Sequence, residues 1–246
     1  MADEVYQPSP SLKERAFINS MEAYHAEYER SIADSEAFWA EKAEEFHWFK
    51  KWDTIRSYNY DMDKGPISIK WFEGGKTNIT YNCLDRHLES KGDQSAIIWE
   101  GNSPDEDATL TFRELHEQVC KFANVLKSRG VKKGDRVSIY MPMVPELAVA
   151  MLACARIGAV HSIVFGGFSA DALADRIVDA TCTTVLTCDG IYRGAKPVVM
   201  KPLVDEAMAS AEEQMGQPVT TCVVLRHHAD DEAFVCPMQD DRDVDY

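Results

Sequence analysis

One segment of this chain constrains its fold more than any other. Val160 to Phe165 is an apolar run that stops at Gly166 and Gly167, and Ser169 then opens the helical segment SADALADRIVDA. A second apolar run, Thr183 to Cys188, follows that helix. A strand, a glycine turn, a helix and another strand make one βαβ unit, which predicts two parallel strands joined by a right-handed crossover.

The same alternation continues on both sides of this unit. From residue 93 onwards, strand and helix segments alternate at least four times. A capping box of Thr111 and Glu114 starts one helix, and Pro145 and Pro202 lie in the first turns of two others. This order predicts an α/β fold with a largely parallel sheet and helices on both faces.

The pattern along the chain divides it into three regions. Residues 1–65 include two aromatic-rich amphipathic segments and are predicted to form a helical extension packed on the main domain. Residues 66–226 hold the α/β alternation. Residues 227–246 carry seven carboxylates without clear periodicity, which predicts a solvated or disordered acidic tail of an incomplete domain.

Composition excludes several classes of function. The 246 residues carry 26 Lys and Arg against 41 Asp and Glu, a formal net charge of −15, so no nucleic-acid partner is expected. No stretch approaches the roughly 20 apolar residues that span a membrane, and the first residues lack a signal-peptide pattern. The seven cysteines include no CxxC pair, which favours reduced thiols over disulfides or a metal site. We therefore expect a cytoplasmic protein without a membrane partner.

A basic cluster follows the second apolar run. Arg193 and Lys196 are separated only by Gly194 and Ala195, so two cations can converge on one phosphate without a bulky side chain between them. The backbone N–H groups of the glycine turn lie near the same edge of the sheet, because the carboxyl ends of parallel strands meet there. This pattern indicates a site for a phosphorylated small molecule.

The residues alone leave other interpretations open. In one of them, the two glycines of the turn only let strand and helix pack closely, and Arg193 and Lys196 are solvated or paired with Asp189 and Asp205. A nicotinamide-dependent oxidoreductase is a further alternative, because Asp189 ends the strand where a ribose-binding acid is expected. The turn reads GGFSA and not GxGxxG, which disfavours it.

Several segments resemble the N-terminal part of acetyl-CoA synthetases, the AMP-forming acetate–CoA ligases of the adenylate-forming superfamily. They are WFEGGKTNITYNCLDRHL (71–88), the stretch from TFRELHEQ to ALADRI (111–177) and RGAK (193–196). Within the second segment, the sequence GAVHSIVFGGFSADAL is specific to short-chain acyl-CoA synthetases. The resemblance covers nearly the whole chain up to about residue 225 and implies the fold of the N-terminal part of that superfamily's large domain.

The resemblance implies a two-step reaction. Acetate attacks the α-phosphate of ATP, which carries Mg²⁺, and the thiol of CoA then displaces AMP from acetyl-adenylate. It also implies a site for CoA, with cations facing the 3′-phosphate and a wall beside the adenine. The residues concerned are Arg193, Gly194, Ala195 and Lys196 for the first, and Phe165, Gly166 and Gly167 for the second. Lys196 stands where some relatives use Arg, which keeps the charge but loses bidentate geometry.

Other parts of the family pattern do not occur in these 246 residues. A phosphate loop of the form TSGSTGKPKG is absent, and so are the later adenine- and carboxylate-binding segments and the small C-terminal domain with its adenylation lysine. We therefore expect no catalytic residue and no metal site in this chain, and no acetyl-CoA formation by it alone. The alternative is a non-enzymatic CoA- or nucleotide-binding module. The choice between acetate and propionate and the oligomeric state stay open.

Overall fold

The computed structural model describes residues 6–246, which form two compact units. The first unit ends at Thr77 and the second begins at Asn78. The division proposed from the sequence at residue 65 falls between two paired strands, and this hairpin lies whole within the first unit.

In the first unit, helices precede an antiparallel pair of strands. They are α1 (Pro10–Arg15), α2 (Met21–Ala33), α3 (Ser35–Ala43), β1 (Thr54–Asn59) and β2 (Ser68–Glu73). The sequence pattern predicted two helical segments here, whereas the described residues form three helices. Asp34 ends α2, and its carboxylate accepts a hydrogen bond from the N–H of Ala37, which starts α3 as a separate helix.

Aromatic rings hold the first unit together. The ring centroids of Trp48, Trp52 and Phe72 lie 5.0 to 5.4 Å apart. The indole N–H of Trp48 donates to the carbonyl of Ala43 at 2.9 Å, which attaches this cluster to the end of α3. Aromatic pairs at such distances stabilise a small unit beyond the area that they bury.

The second unit contains the α/β alternation. Its helices are α4 (Ile79–Cys83), α5 (Leu88–Lys91), α6 (Phe112–Ser128), α7 (Pro145–Ile157), α8 (Ala170–Ala180) and α9 (Lys201–Met215). Its strands are β3 (Ser95–Glu100), β4 (Asp107–Thr111), β5 (Arg136–Ile139), β6 (Val160–Ile163), β7 (Thr184–Cys188), β8 (Gly190–Arg193), β9 (Lys196–Val199), β10 (Thr221–Leu225) and β11 (Asp243–Asp245). The predicted capping box at the start of α6 is present.

Five strands form a parallel sheet in the order β11-β10-β7-β5-β6. Side chains alternate between its two faces. Val137 and Ile139 pack with α6 and α7, and Val185 and Val224 pack with α8 and α9 on the opposite face. The predicted α/β class, with a parallel sheet covered by helices on both faces, is confirmed.

The strand Ser95–Glu100 does not belong to this parallel sheet. It pairs antiparallel with β4 through a short connection, because only a longer crossover can make neighbouring strands parallel. The apolar side chains of Ile97, Trp99 and Leu110 on this hairpin pack against the core on the α6–α7 face.

The prediction of a solvated or disordered end for residues 227–246 is wrong in one respect. Within this segment β11 adds a parallel strand beside β10, and the ring of Tyr246 stacks on Phe122 with centroids 4.4 Å apart. The physical reason is that some of its acidic side chains are paired. Asp243 has a fully buried carboxylate that binds Lys201 and Arg242.

Candidate functional site

A cavity of about 330 Å³ opens at the carboxyl ends of the parallel strands. It lies beyond β5 and β7, and we call it the strand-end cavity. From β5 the chain crosses through α7 to β6, whereas from β7 it leads through α9 to β10 on the other side. The direction of winding therefore reverses between these two strands, and ligands of open α/β sheets bind in the crevice at such a point.

The glycine turn forms one wall of the strand-end cavity. The N–H groups of Gly167 and Phe168 donate to the carbonyl of Phe165 at 2.7 and 3.0 Å. The hydroxyl of Tyr140 donates to the carbonyl of Phe168 at 2.8 Å and fixes the turn from below. The N–H of Gly167 is therefore engaged within the turn.

Gly167 is required because neighbouring side chains approach its backbone closely. A Cβ atom on Gly167 would overlap the guanidinium of Arg193 and lie 2.7 Å from the ring of Phe165. A Cβ atom on Gly166 would lie 3.3 Å from the carbonyl oxygen of Met141. The turn therefore brings Phe165 and Arg193 together, which a larger residue at position 167 would prevent.

Arg193 ends β8, at the tip of the β8–β9 hairpin, where the sequence predicted a basic loop. Gly194 has a φ of +60° at the first position of the two-residue turn, and a type II′ turn requires glycine there. The Cζ atom of Arg193 lies 6.0 Å from the centroid of the Phe165 ring, within the range of a cation–π contact. Within residues 6–246 no carboxylate forms an ion pair with this guanidinium.

The seven predicted site residues are therefore only partly brought together. Phe165, Gly166 and Arg193 line the strand-end cavity, and Gly167 lies against two of them. Lys196 pairs with Arg193 across the hairpin, but it is exposed and does not line the cavity. Gly194 and Ala195 are exposed at the tip of the hairpin.

The charge of Arg193 affects the pKa of Tyr140, which holds the glycine turn. Burial raises the pKa of the Tyr140 hydroxyl, and the positive charge of Arg193 acts against that rise. The phenol therefore stays protonated at neutral pH and keeps its hydrogen bond to Phe168. This hydrogen bond links the conformation of the glycine turn to the residues that surround the strand-end cavity.

Asp189 has a structural role. Its side chain is 1% exposed, and its carboxylate accepts hydrogen bonds from the N–H groups of Gly190, His227 and His228 at 2.8, 3.1 and 2.7 Å. It is therefore neither a partner of Arg193 nor available to a ribose hydroxyl, which removes the main support for the oxidoreductase alternative. Asp205, the other suggested partner of the cluster, pairs with Lys201 and Arg242.

Sequence reasoning missed the opposite wall of the strand-end cavity. Trp99 lines it and donates its indole N–H to the carbonyl of Met143 at 2.7 Å. His227 lies with its ring 6.0 Å from that of Trp99, and His228 also lines the cavity. No local pattern marks these residues, because three separate segments bring them together.

The electrostatics of the strand-end cavity are mixed. Glu100 and Glu106 line it together with the cation Arg193. Burial lowers the pKa of His228, and the neighbouring His227 lowers it further, so this imidazole is neutral at physiological pH. An apolar slot with one unpaired guanidinium at its mouth suits a planar ring that carries a phosphate on one side.

The described residues contain neither a candidate metal site nor a candidate membrane span. Within residues 6–246, no group of three His, Cys, Asp or Glu side chains is placed to hold a metal ion. No described helix has the length and apolar character needed to cross a membrane. The seven cysteines are free thiols, and burial raises the pKa of Cys182 to about 11 and of Cys154 and Cys222 to about 12.

Comparison with known proteins shows the family. A family model described as AMP-binding enzyme matches residues 84–243. The chain belongs to this family. The segments that line the strand-end cavity, from Trp99 to His228, lie within the matched residues. A second family model, described as acetyl-coenzyme A synthetase N-terminus, matches residues 24–83 of this AMP-binding enzyme chain.

Three curated relatives of this AMP-binding enzyme chain share the name acetyl-coenzyme A synthetase. An acetyl-coenzyme A synthetase of Magnetococcus marinus is 56% identical over 91% of the chain, and one of Drosophila melanogaster is 49% identical over 97%. A third, from Desulfatibacillum aliphaticivorans, is 48% identical over 99%. The matches cover 33%, 37% and 36% of these relatives, so the chain spans about a third of their length. The resemblance to the N-terminal part of acetyl-CoA synthetases is thereby confirmed.

Proposed function

We propose that this chain is the N-terminal part of an AMP-forming acetate–CoA ligase and that its strand-end cavity receives the nucleotide end of CoA. The observation that carries this proposal is the position of Arg193. Its guanidinium has no carboxylate partner among the described residues, faces the ring of Phe165 and lies at the point where the winding of the sheet reverses. A desolvated carboxylate partner would have cancelled the charge of Arg193. An unpaired guanidinium, by contrast, is available to a phosphate.

The proposed roles follow from the chemistry of each side chain. Arg193 donates hydrogen bonds to the 3′-phosphate of CoA, and Lys196 adds a second positive charge at the tip of the hairpin. Phe165, Gly166 and Gly167 supply the wall beside the adenine ring. Gly194 and Ala195 keep the space between the two cations free of bulky side chains.

The remaining substrates of the proposed reaction are ATP and acetate, with Mg²⁺ carried by ATP. Within the described residues, no three metal-ligating side chains lie together. The 246 residues also lack a Ser/Thr/Gly-rich phosphate loop. We therefore propose that this chain supplies part of the CoA site and that adenylation requires other segments.

The proposed setting is the cytoplasm, with small molecules as partners. The excess of 15 negative charges disfavours binding to a nucleic-acid backbone, since that needs clustered Lys and Arg. The free thiols of all seven cysteines fit a reducing compartment.

A kinetic test separates the proposed CoA role of Arg193 from a structural one. In a ligase that contains this chain, Arg193→Ala is expected to raise the KM for CoA about 10- to 100-fold, because a charge-assisted hydrogen bond is lost. Acetate-dependent exchange between ATP and pyrophosphate, which needs no CoA, continues at its original rate. Arg129→Ala, which removes an exposed arginine at the end of α6, is the matched control. If exchange falls as far as the overall reaction, Arg193 is structural and the proposal fails.

A further inference from the structure

The tip of the β8–β9 hairpin is held from outside at one point. The side-chain amide of Asn102 donates a hydrogen bond to the carbonyl of Gly194 at 3.1 Å. Within residues 6–246, no other hydrogen bond from outside the hairpin reaches residues 193–196. Since Gly194 directly follows Arg193, this bond fixes the backbone from which the guanidinium extends.

Asn102 lies in a turn that is itself anchored. The N–H of Gly101 donates to the carbonyl of Glu106 at 2.6 Å and closes the turn between β3 and β4. At the end of β3, Trp99 is tied by its indole N–H to the carbonyl of Met143. The β3–β4 turn therefore bridges the strand-end cavity from the segment after β5 to the tip of the β8–β9 hairpin.

The hairpin needs this support because it is small and exposed. It has four paired positions, and residues 193–197 are exposed. Its base is packed, since a Cβ atom on Gly190 would overlap the ring of Phe234, but its tip lacks such packing. A two-stranded hairpin is marginally stable by itself. A single hydrogen bond at its tip therefore changes the fraction of molecules in which Arg193 is correctly placed.

We propose that Asn102 is a positioning residue, which holds the β8–β9 tip so that Arg193 meets the 3′-phosphate of CoA. This proposal rests on the proposed function of Arg193. The β3–β4 turn then acts as a strap across the strand-end cavity, and recognition of the phosphate depends on a residue that does not touch it. A merely structural role for Asn102 would change the affinity for all ligands of the cavity to the same extent.

The test compares two ligands that differ in one group. The affinities of a ligase that contains this chain for CoA and for dephospho-CoA, which lacks the 3′-phosphate, are measured by calorimetry. The ratio of the affinity for CoA to that for dephospho-CoA reports phosphate recognition. Asn102→Ala is expected to lower this ratio about two- to tenfold, the effect of one hydrogen bond. Ser103→Ala, in the same turn, is expected to leave the ratio unchanged, because within residues 6–246 the Ser103 hydroxyl is hydrogen-bonded only inside its own turn. Melting temperatures of all variants check that the fold is intact.

A double variant distinguishes the two proposals. If Asn102 acts through Arg193, then Arg193→Ala combined with Asn102→Ala gives the same ratio as Arg193→Ala alone. An unchanged ratio in Asn102→Ala, or effects of the two substitutions that multiply, would overturn the role of Asn102 while leaving that of Arg193. An unchanged ratio in Arg193→Ala would overturn the proposed function and the role of Asn102 together.

Discussion

At the scale of single residues, Gly167 decides how closely Arg193 approaches the strand end. An added Cβ atom would meet the guanidinium of Arg193 and the ring of Phe165, which are the ends of flexible side chains. Both can move aside, so the fold tolerates the change while the geometry of the proposed site does not. At Gly166 the added atom would meet a main-chain oxygen, which cannot move aside in this way.

Gly167→Ala is therefore expected to raise the KM for CoA about tenfold or more in a ligase that contains this chain, with little change in melting temperature. Gly166→Ala is expected to lower the melting temperature, because its Cβ atom would crowd the main-chain oxygen of Met141. Steady-state kinetics and calorimetric melting of both variants check this. A large loss of stability in Gly167→Ala with an unchanged KM would show that this glycine serves packing alone.

The sequence predicted one wall of the strand-end cavity and not the other. The glycine turn and Arg193 are marked by local patterns, namely an apolar run ending in glycines and cations separated by small residues. Trp99 and His227 carry no such mark, because they reach the cavity only through the β3–β4 hairpin and through the carboxylate of Asp189. Long-range contacts of this kind leave no spacing signal in the chain.

At the scale of secondary-structure elements, the edge strand β11 depends on a buried charge cluster. Lys201 is fully buried, and its ammonium lies 2.7 Å from carboxylate oxygens of both Asp205 and Asp243. The guanidinium of Arg242 donates to Asp243 at 2.6 Å. Burial acts to raise the pKa of Asp243, but the hydrogen bonds from Arg242 and Lys201 outweigh it, and the pKa is lowered.

Asp243→Asn is expected to destabilise the chain by about 3–5 kcal/mol, because Lys201 and Arg242 then lose a buried counter-charge. Asp245→Asn is the matched control in the same strand. Its side chain is 69% exposed and pairs with Arg226, so the loss is expected to be below about 1 kcal/mol. Urea denaturation measures both, and equal losses would contradict the structural role of the cluster.

The lowered pKa of Asp243 also gives the sign of a pH effect. The folded state binds the proton less readily than the unfolded state, so this carboxylate stabilises the fold above its ordinary pKa of about 3.9. That contribution is lost as the pH falls through the lower value of the folded state. In Asp243→Asn the loss of stability on acidification should therefore be smaller than in the original chain.

The prediction of an acidic coil after β10 failed for the same physical reason. Carboxylates without periodicity are typical of solvated segments, but Lys201, far back in the chain, and the adjacent Arg242 neutralise Asp243. A three-residue parallel strand is also too short to show alternation. By contrast, α6, α7 and α8 were predictable, because caps, a first-turn proline and long apolar stripes all mark them.

At the scale of the whole molecule, the order of strands and helices was the strongest predictor. It specified a parallel sheet with helices on both faces, and the strand order β11-β10-β7-β5-β6 then brings the carboxyl ends of β5 and β7 together. Only the tertiary structure, however, shows that the strand-end cavity needs an antiparallel hairpin from outside the sheet as its second wall.

A crystal structure of the chain with CoA would show whether Arg193 binds the 3′-phosphate. We expect the 3′-phosphate within about 2.7–2.9 Å of the Arg193 guanidinium, with the adenine beside Phe165 and the glycine turn. A structure in which CoA binds elsewhere, while the guanidinium of Arg193 contacts no part of it, would contradict the proposed CoA site.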